Sequence, residues 1–268
     1  MGQRQRRRHL PPDKAAVPSR TGAIKLPFEI HERDKVASTN DVARKLAGEG
    51  APGLSAVWAK TQSSGRGRRG RAWSSPAGNL YVSLLLRPEC PISSAVQLSL
   101  VAALGLGDAL TEFVDTSRVQ NKWPNDVQLD GKKVAGLLLE SSGVNAEAVE
   151  WVIVGCGVNV AVHPNIPDYP TTSLNEIAEQ NVDVEAMLDA FLRCFETRYD
   201  VWRENGVAGI RDCWLERAVG LGQEITVRLP TKEIRGVFEG LDASGGLILA
   251  RTDGARELIT AGEIFAEQ

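Results

Sequence analysis

Cysteine is scarce in this chain, and its spacing excludes two protein classes. Cys90, Cys156, Cys194 and Cys213 form no Cys-x-x-Cys pair and no Cys/His cluster. Neither a disulfide framework nor a zinc site is expected, and the thiols read as reduced ones in a reducing compartment. Long apolar runs are missing too. Stretches such as Val152-Ile153-Val154 and Leu84-Leu85-Leu86 fall far short of the roughly 18 residues that cross a bilayer. The N-terminus is charged but has no apolar segment behind the charges, so no secretory signal is expected. A cytoplasmic protein without membrane association follows. The Gly155-x-Gly157 pair does not open a helix, which removes a dinucleotide fingerprint.

What is present is ordinary globular material. Of 268 residues, 43% are apolar and 24% charged, which excludes wholesale disorder, a collagen-like fibre and a coiled coil. The length suits one large domain with a small appendage. The net charge of −3 is uneven, because residues 1–20 contribute +5 and leave −8 on the body. An acidic body argues against a nucleic-acid-binding domain, although a basic arm can still touch phosphates.

Residues 1–27 are rich in Arg, Pro and Ala without hydrophobic periodicity, and a flexible basic arm is expected there. A helix capped by Ser38 or Thr39 runs through Val42 and Leu46 toward Gly48 and Gly50. Strands are read at Leu54–Lys60 and Asn79–Arg87, with a polar glycine-rich stretch from Gln62 to Arg71 between them. Val96–Phe113 has helical spacing, and Val127–Leu129, Val134–Glu140 and Val149–Val160 are strand-like. Residues 163–170 contain three prolines and must be loop. A second long helix places Met187, Leu188, Phe191, Leu192, Phe195, Tyr199 and Trp202 on one face and stops at Gly206. Short alternations separated by turn signals fill residues 220–268, the pattern of a small SH3-like barrel. The expected divisions are 1–27, 28–218 and 219–268.

Four segments carry chemistry. In Gly65-Arg66-Gly67-Arg68-Arg69-Gly70-Arg71, four guanidinium groups lie within seven residues and repel one another unless an anion neutralises them. Glycines let this backbone approach a ligand, and arginine forks match phosphate oxygens. Trp73 beyond it offers a stacking face or a core residue. In Lys122-Trp123-Pro124-Asn125-Asp126, the lysine can meet phosphate, and Asp126 can hold a metal ion or orient a lysine; the plain alternative is a hairpin turning at Asp130-Gly131. Lys133 sits where solvent gives way to a buried strand. Ser38-Thr39-Asn40 is explained by helix capping or by hydrogen bonds to a small polar ligand. Gly155–Asn159 ends the buried strand, where glycine lets a ligand lie against backbone and Asn159 can ligate or donate. Cys156 reads as a small buried apolar residue.

Taken in order, STN, Gln62 with GRGRRGRxW, NLYVS, KWPND, KxAGxLxE and GxGVN resemble the biotin–protein ligase family, densely from Val36 to about Val160. The resemblance implies an α/β (α+β) fold: a catalytic domain related to class II aminoacyl-tRNA synthetases, with a mixed sheet, plus the SH3-like C-terminal module. It implies activation of biotin by ATP to biotinyl-5′-adenylate and transfer to a lysine of the biotin carrier domain of a carboxylase. By resemblance Ser38, Thr39, Asn40, Gln62, Arg66, Gly67, Arg68, Lys133, Gly136 and Gly157 contact biotin. Arg69, Arg71, Trp73, Lys122, Asn125, Asp126 and Asn159 serve ATP, with Trp73 on adenine and Mg²⁺ near Asp126 or Asn159. Lys133, Arg68 and Arg66 are the catalytic candidates. No tightly bound prosthetic group is implied, and family members are monomers or homodimers. Bifunctional members carry an N-terminal winged helix that binds operator DNA; the first 27 residues here lack helical periodicity, so the monofunctional type is expected. The alternatives are a lipoate- or octanoate-protein ligase of the same fold, and a nucleic-acid-binding regulator using the basic segments.

Overall fold

The computed structural model describes residues 27–142, 148–167 and 169–266; the expected flexible arm lies outside these residues except for Pro27. The chain runs β1 (Glu29–Val36), α1 (Thr39–Gly48), β2 (Ser55–Gln62), β3 (Leu80–Leu86), α2 (Ile92–Ala95), α3 (Leu98–Leu110) and β4 (Val119–Lys122). It continues through β5 (Asp126–Leu129), β6 (Lys132–Ser141), β7 (Val152–Val158), α4 (Leu174–Ile177), α5 (Val184–Asn205) and α6 (Ala208–Leu215). Strands β8 (Glu224–Arg228), β9 (Glu233–Leu241), β10 (Leu247–Ala250), β11 (Arg256–Ile259) and β12 (Glu263–Ala266) complete it.

Strands β1 to β7 form one mixed sheet in the order β1-β2-β3-β7-β6-β5-β4. Only β1 and β2 pair in parallel; the other neighbours are antiparallel. The second sheet, β11-β10-β9-β8-β12, is antiparallel throughout. Two expectations need correction. β1 was not foreseen, because EIHERDKV is charged and mostly exposed; an edge strand needs a partner on one side only and little burial. β4, Val-Gln-Asn-Lys, is short and half polar, and β5 recruits it into a hairpin. Asp130 and Gly131, both at positive φ, turn the next hairpin, from β5 into β6.

Alternation along the strands assigns the two faces of the sheet. In β3, Leu80, Val82, Leu84 and Leu86 join the main core with Ala56, Trp58, Val152, Val154 and Val158. That core is completed by α3 and by the apolar face of α5, whose Phe195, Tyr199 and Trp202 rings stack at 5.7 Å spacings. The opposite face carries Val57, Leu85 and Ile153 beneath Ala43 and Ala47 of α1, and it is there that polar and glycine residues gather. Contrary to the expectation from short apolar runs, the stretch Ile92–Leu110 is long and apolar enough to span a bilayer by composition, but it is mostly buried as α2 and α3. Its expected single helix, Val96–Phe113, instead begins at Ile92 and breaks between Ala95 and Leu98.

Helices α3 and α5 approach so closely that a Cβ on Gly105 would lie 2.9 Å from the Phe195 Cα. Gly105→Ala forces these backbones apart. It should lower unfolding stability by about 1–3 kcal/mol, the usual cost of overpacking a core, read from the denaturation midpoint in urea; an unchanged midpoint would show that the helices slide freely.

Candidate active site

The polar half of the site is built at the N-terminus of α1. Ser38 occupies the cap position with extended backbone, yet its side chain makes no capping bond, so capping does not explain the triplet. Instead the Thr39 N–H and hydroxyl both donate to Gln62 Oε1, at 2.8 and 3.2 Å. The Ser83 hydroxyl lies 2.7 Å from Thr39 Oγ1 and 2.5 Å from Asn40 Oδ1. Ser38, Thr39 and Asn40 are all buried, and the Asn40 Nδ2 donor has no partner. A buried, unmatched amide donor is what a polar ligand would complete. Under it runs Gly155, where a Cβ would stand 2.3 Å from Asn40 Oδ1; only glycine leaves the amide room.

The arginine-rich segment folds as a small hairpin. The Gly67 N–H donates to the Arg71 carbonyl (2.7 Å) and the Trp73 N–H to the Gly65 carbonyl (2.9 Å). Its tip is a turn over Arg68–Gly70 with Arg69 and Gly70 at positive φ. The guanidinium groups find different partners. Arg66 forks onto Asp41 of α1 at 2.8 and 2.7 Å, and Glu140 of β6 lies 3.6 Å away. The Arg66 bond holds the Asp41 carboxyl below its usual range, and Asp41 raises Arg66 in turn. Arg71 pairs with Glu263 of β12. Arg68 has a neutral hydrogen-bond partner, donating to Asn125 Oδ1 at 3.0 Å while the Asn125 amide donates to the Leu137 carbonyl. Burial and then the neighbouring Arg69 charge pull the Arg68 guanidinium below its usual value, so this group gains most from an added anion. Arg69 is exposed.

Trp73 swings inward. Its indole lies over Gly157 and Gly136, which are paired across β7 and β6, and a Cβ on Gly157 would come within 2.5 Å of the ring nitrogen. The indole therefore covers the two glycines that the resemblance gave to the biotin rings. Its buried Nε1 is without a partner.

The cationic half centres on Asp126. Lys133 Nζ lies 2.6 Å from Asp126 Oδ1, with both side chains largely buried. The ammonium faces the Trp73 and Tyr169 rings, each at 5.4 Å. Lys122 stands 4.6 Å above the Tyr169 ring and 5.1 Å from that of Phe265, and burial pulls its amine below the ordinary lysine value. Asn159 is spent on the fold: its amide donates to the Thr172 carbonyl at 3.1 Å. Burial pushes the Cys156 thiol up, away from the thiolate a nucleophile needs. Among the described residues no group of three His, Cys, Asp or Glu side chains is placed to hold a metal ion.

The structure thus gathers Thr39, Asn40, Gln62, Gly157, Gly136, Trp73, Lys133, Asp126, Lys122, Asn125 and Arg68 along one face, while Arg66 and Arg71 turn to carboxylates of their own chain. Sequence reasoning missed Ser83, Asp41 and Tyr169. Ser83 was readable, as the one polar residue inside β3; Asp41 and Tyr169 carry no local signal.

Comparison with known proteins agrees with this geometry. Residues 33–159 match the model of the Biotin/lipoate A/B protein ligase family, and residues 220–266 that of the Biotin protein ligase C terminal domain. A biotin–[acetyl-CoA-carboxylase] ligase from Paracoccus denitrificans is 46% identical over 237 residues, covering 85% of this chain and 96% of the relative. The Aquifex aeolicus biotin protein ligase, solved with biotin and ATP, is 30% identical with a TM-score of 0.74, covering 90% of this chain and 99% of that one. The Leishmania major ligase, solved with biotinyl-5-AMP, is 27% identical with a TM-score of 0.60, covering 87% and 99%. The fold, the site and these likenesses agree: the chain belongs to the biotin protein ligase family.

Proposed function

We propose that this site joins biotin to ATP, giving biotinyl-5′-adenylate and pyrophosphate, and then passes the biotinyl group to a lysine of the biotin carrier domain of a carboxylase. One observation carries the reading. A buried cluster of polar side chains with a spare Asn40 amide is joined to a cation cluster by Gly155, Gly157 and Gly136, the last two of which carry the Trp73 indole instead of side chains of their own. A flat, neutral, hydrogen-bonding head with an apolar body and a carboxylate tail matches this sequence of groups once the indole gives up its place on the glycines. Thr39, Asn40, Gln62 and Ser38 take the polar head; Gly157 and Gly136 bring bare backbone against the rings. Lys133 receives the carboxylate tail and the α-phosphate, two anions whose approach needs fixed positive charge. Arg68 adds a second fixed charge, held by Asn125. Arg69, Arg71 and Lys122 border the phosphates, and Arg66 reaches them by exchanging Asp41 for the incoming anion. Trp73 closes over the assembled ligand. Mg²⁺ would come with ATP, held chiefly by phosphate oxygens, and would supply further charge neutralisation; Asp126, taken by Lys133 and Tyr169, and Asn159, bonded to Thr172, are not free to hold it in this arrangement. Four free thiols among the described residues suit a reducing compartment, and we place the enzyme in the cytoplasm.

The direct test is incubation with biotin, ATP·Mg²⁺ and a biotin carrier domain, read by mass. A biotinyl increment on one lysine is expected and none with lipoate; a lipoyl increment instead would assign the site to the sister activity. Lys133→Ala should cut pyrophosphate release by at least about 100-fold, the usual effect of removing a fixed transition-state charge, and release at the parental rate would remove Lys133 from the chemistry. Arg68→Gly should fold normally but retain the adenylate poorly, so that biotin appears on unrelated lysines; labelling confined to the carrier would contradict that role. Residues 63–73 should be cut by protease more slowly once biotin and ATP are bound, because the hairpin closes over the anhydride and excludes water. Equal cleavage rates would count against closure.

A further inference from the structure

The proline-rich loop between β7 and α4 sends the Tyr169 side chain into the cation cluster. Tyr169 donates its hydroxyl proton to Asp126 Oδ2, while Asp126 Oδ1, which makes no hydrogen bond, faces the Lys133 ammonium as an ion pair at 2.6 Å. Its ring lies 4.6 Å beneath Lys122 and 5.4 Å from Lys133. The loop cannot drift independently of that lysine. Lys133 donates its N–H to the Pro170 carbonyl at 2.9 Å and accepts at its own carbonyl from the Thr172 N–H at 3.0 Å. The residues flanking Tyr169 are thus in register with the backbone of Lys133, and the side chain of Tyr169 is in register with its charge.

We propose that Tyr169 is a positioning residue for Lys133, acting through Asp126: its hydroxyl fixes one carboxylate oxygen and draws charge from the other, so the ammonium stays aimed but not neutralised. The inference rests on the role given above to Lys133. The physical balance is specific. A carboxylate gripping an ammonium in a partly dry site competes with the phosphate and carboxyl oxygens that the same ammonium must serve. A charge-assisted hydrogen bond to the far oxygen disperses that negative charge and fixes the plane of the carboxylate. Without the hydroxyl, Asp126 has an unmatched oxygen beside Lys122, whose ammonium is 3.5 Å from the phenol oxygen. The carboxylate is then free to turn toward Lys122 and carry Lys133 out of line. Burial pushes the Tyr169 phenol up, with the Asp126 charge adding to it, so it remains a proton donor throughout the working range. The ring is a second device: its face, with that of Trp73, gives the ammonium a preferred approach.

Tyr169→Phe keeps the ring and removes only the hydroxyl. It should lower kcat for pyrophosphate release roughly tenfold, the usual effect of losing a hydrogen bond to a charged group, with the KM for biotin unchanged and a single cooperative unfolding transition retained. In an Asp126→Ala background the same substitution should cost nothing more, because the residue through which it acts is gone. A merely structural anchor for the loop would behave otherwise: losses would multiply in the double variant, or the KM would rise with kcat preserved. Either result, or full activity in Tyr169→Phe, overturns the proposal. Pyrophosphate release surviving in Lys133→Ala would instead remove the Lys133 reading beneath it, and that is measured separately.

Discussion

The arrangement depends on a patch of sheet surface whose own residues carry no side chains. Gly155 and Gly157 point the same way along β7, and Gly136 is the cross-strand partner of Gly157 on β6. Side chains at these positions would meet Asn40, the Trp73 indole and the Lys133 ammonium, at separations from 2.3 to 3.3 Å. Glycine inside a strand costs about 0.5–1 kcal/mol relative to alanine, so three on one patch of surface weaken the sheet locally. The residues between them show how that loss is offset. Val154, Cys156 and Val158 of β7 and Ala135 and Leu137 of β6 face the main core and are buried. One face of these two strands holds the sheet together, and the other receives the Trp73 indole on bare backbone.

Charge is organised by the same economy of partners. The loop arginines would repel one another if left bare, and the fold answers with carboxylates from three elements: Asp41 on α1, Glu140 on β6 and Glu263 on β12. Exposed ion pairs such as Lys45–Glu49, 76% and 58% exposed, contribute about 0–1 kcal/mol. The Lys133–Asp126 pair, 18% and 12% exposed, belongs to another regime, in which removing one partner strands the other charge and costs about 3–5 kcal/mol. The difference separates the two kinds of cation. Arg66 and Arg71 hold partners that an anion can replace at little cost, which suits a loop that closes. Lys133 holds one that fixes its position.

Much of this is legible in the sequence, and the exceptions share a cause. The apolar face of α5, the hairpin at Asp130-Gly131 and the alternation of the C-terminal strands are local patterns, so each could be read within a short window. The GRGRRGR run declared its chemistry through composition. β1 escaped because an edge strand needs no apolar signature. Ser38-Thr39-Asn40 reads as capping or ligand binding, and the side chains that Thr39 and Asn40 engage instead, Gln62 and Ser83, lie 23 and 43 or 44 residues away. Asp41 and Tyr169 acquire meaning only from partners brought together by the sheet. Tyr169 lies 43 residues from the carboxylate it touches, in a loop whose prolines announce only that it is not a helix or strand.

The second sheet is part of this site and not merely attached to it. Trp123 is buried and donates its indole N–H to the Gly245 carbonyl at 3.1 Å, which ties the turn between Lys122 and Asn125 to the C-terminal module. From the far end of that module, β12 brings Glu263 to Arg71 and the Phe265 ring to Lys122. The Glu263 charge is also felt by Arg68, Lys122 and Tyr169. A carboxylate placed among this many cations lowers their mutual repulsion without binding most of them, which keeps the cluster stable before phosphate arrives. The catalytic sheet supplies the fixed charges, and the small module supplies part of the counter-charge that lets them stand together.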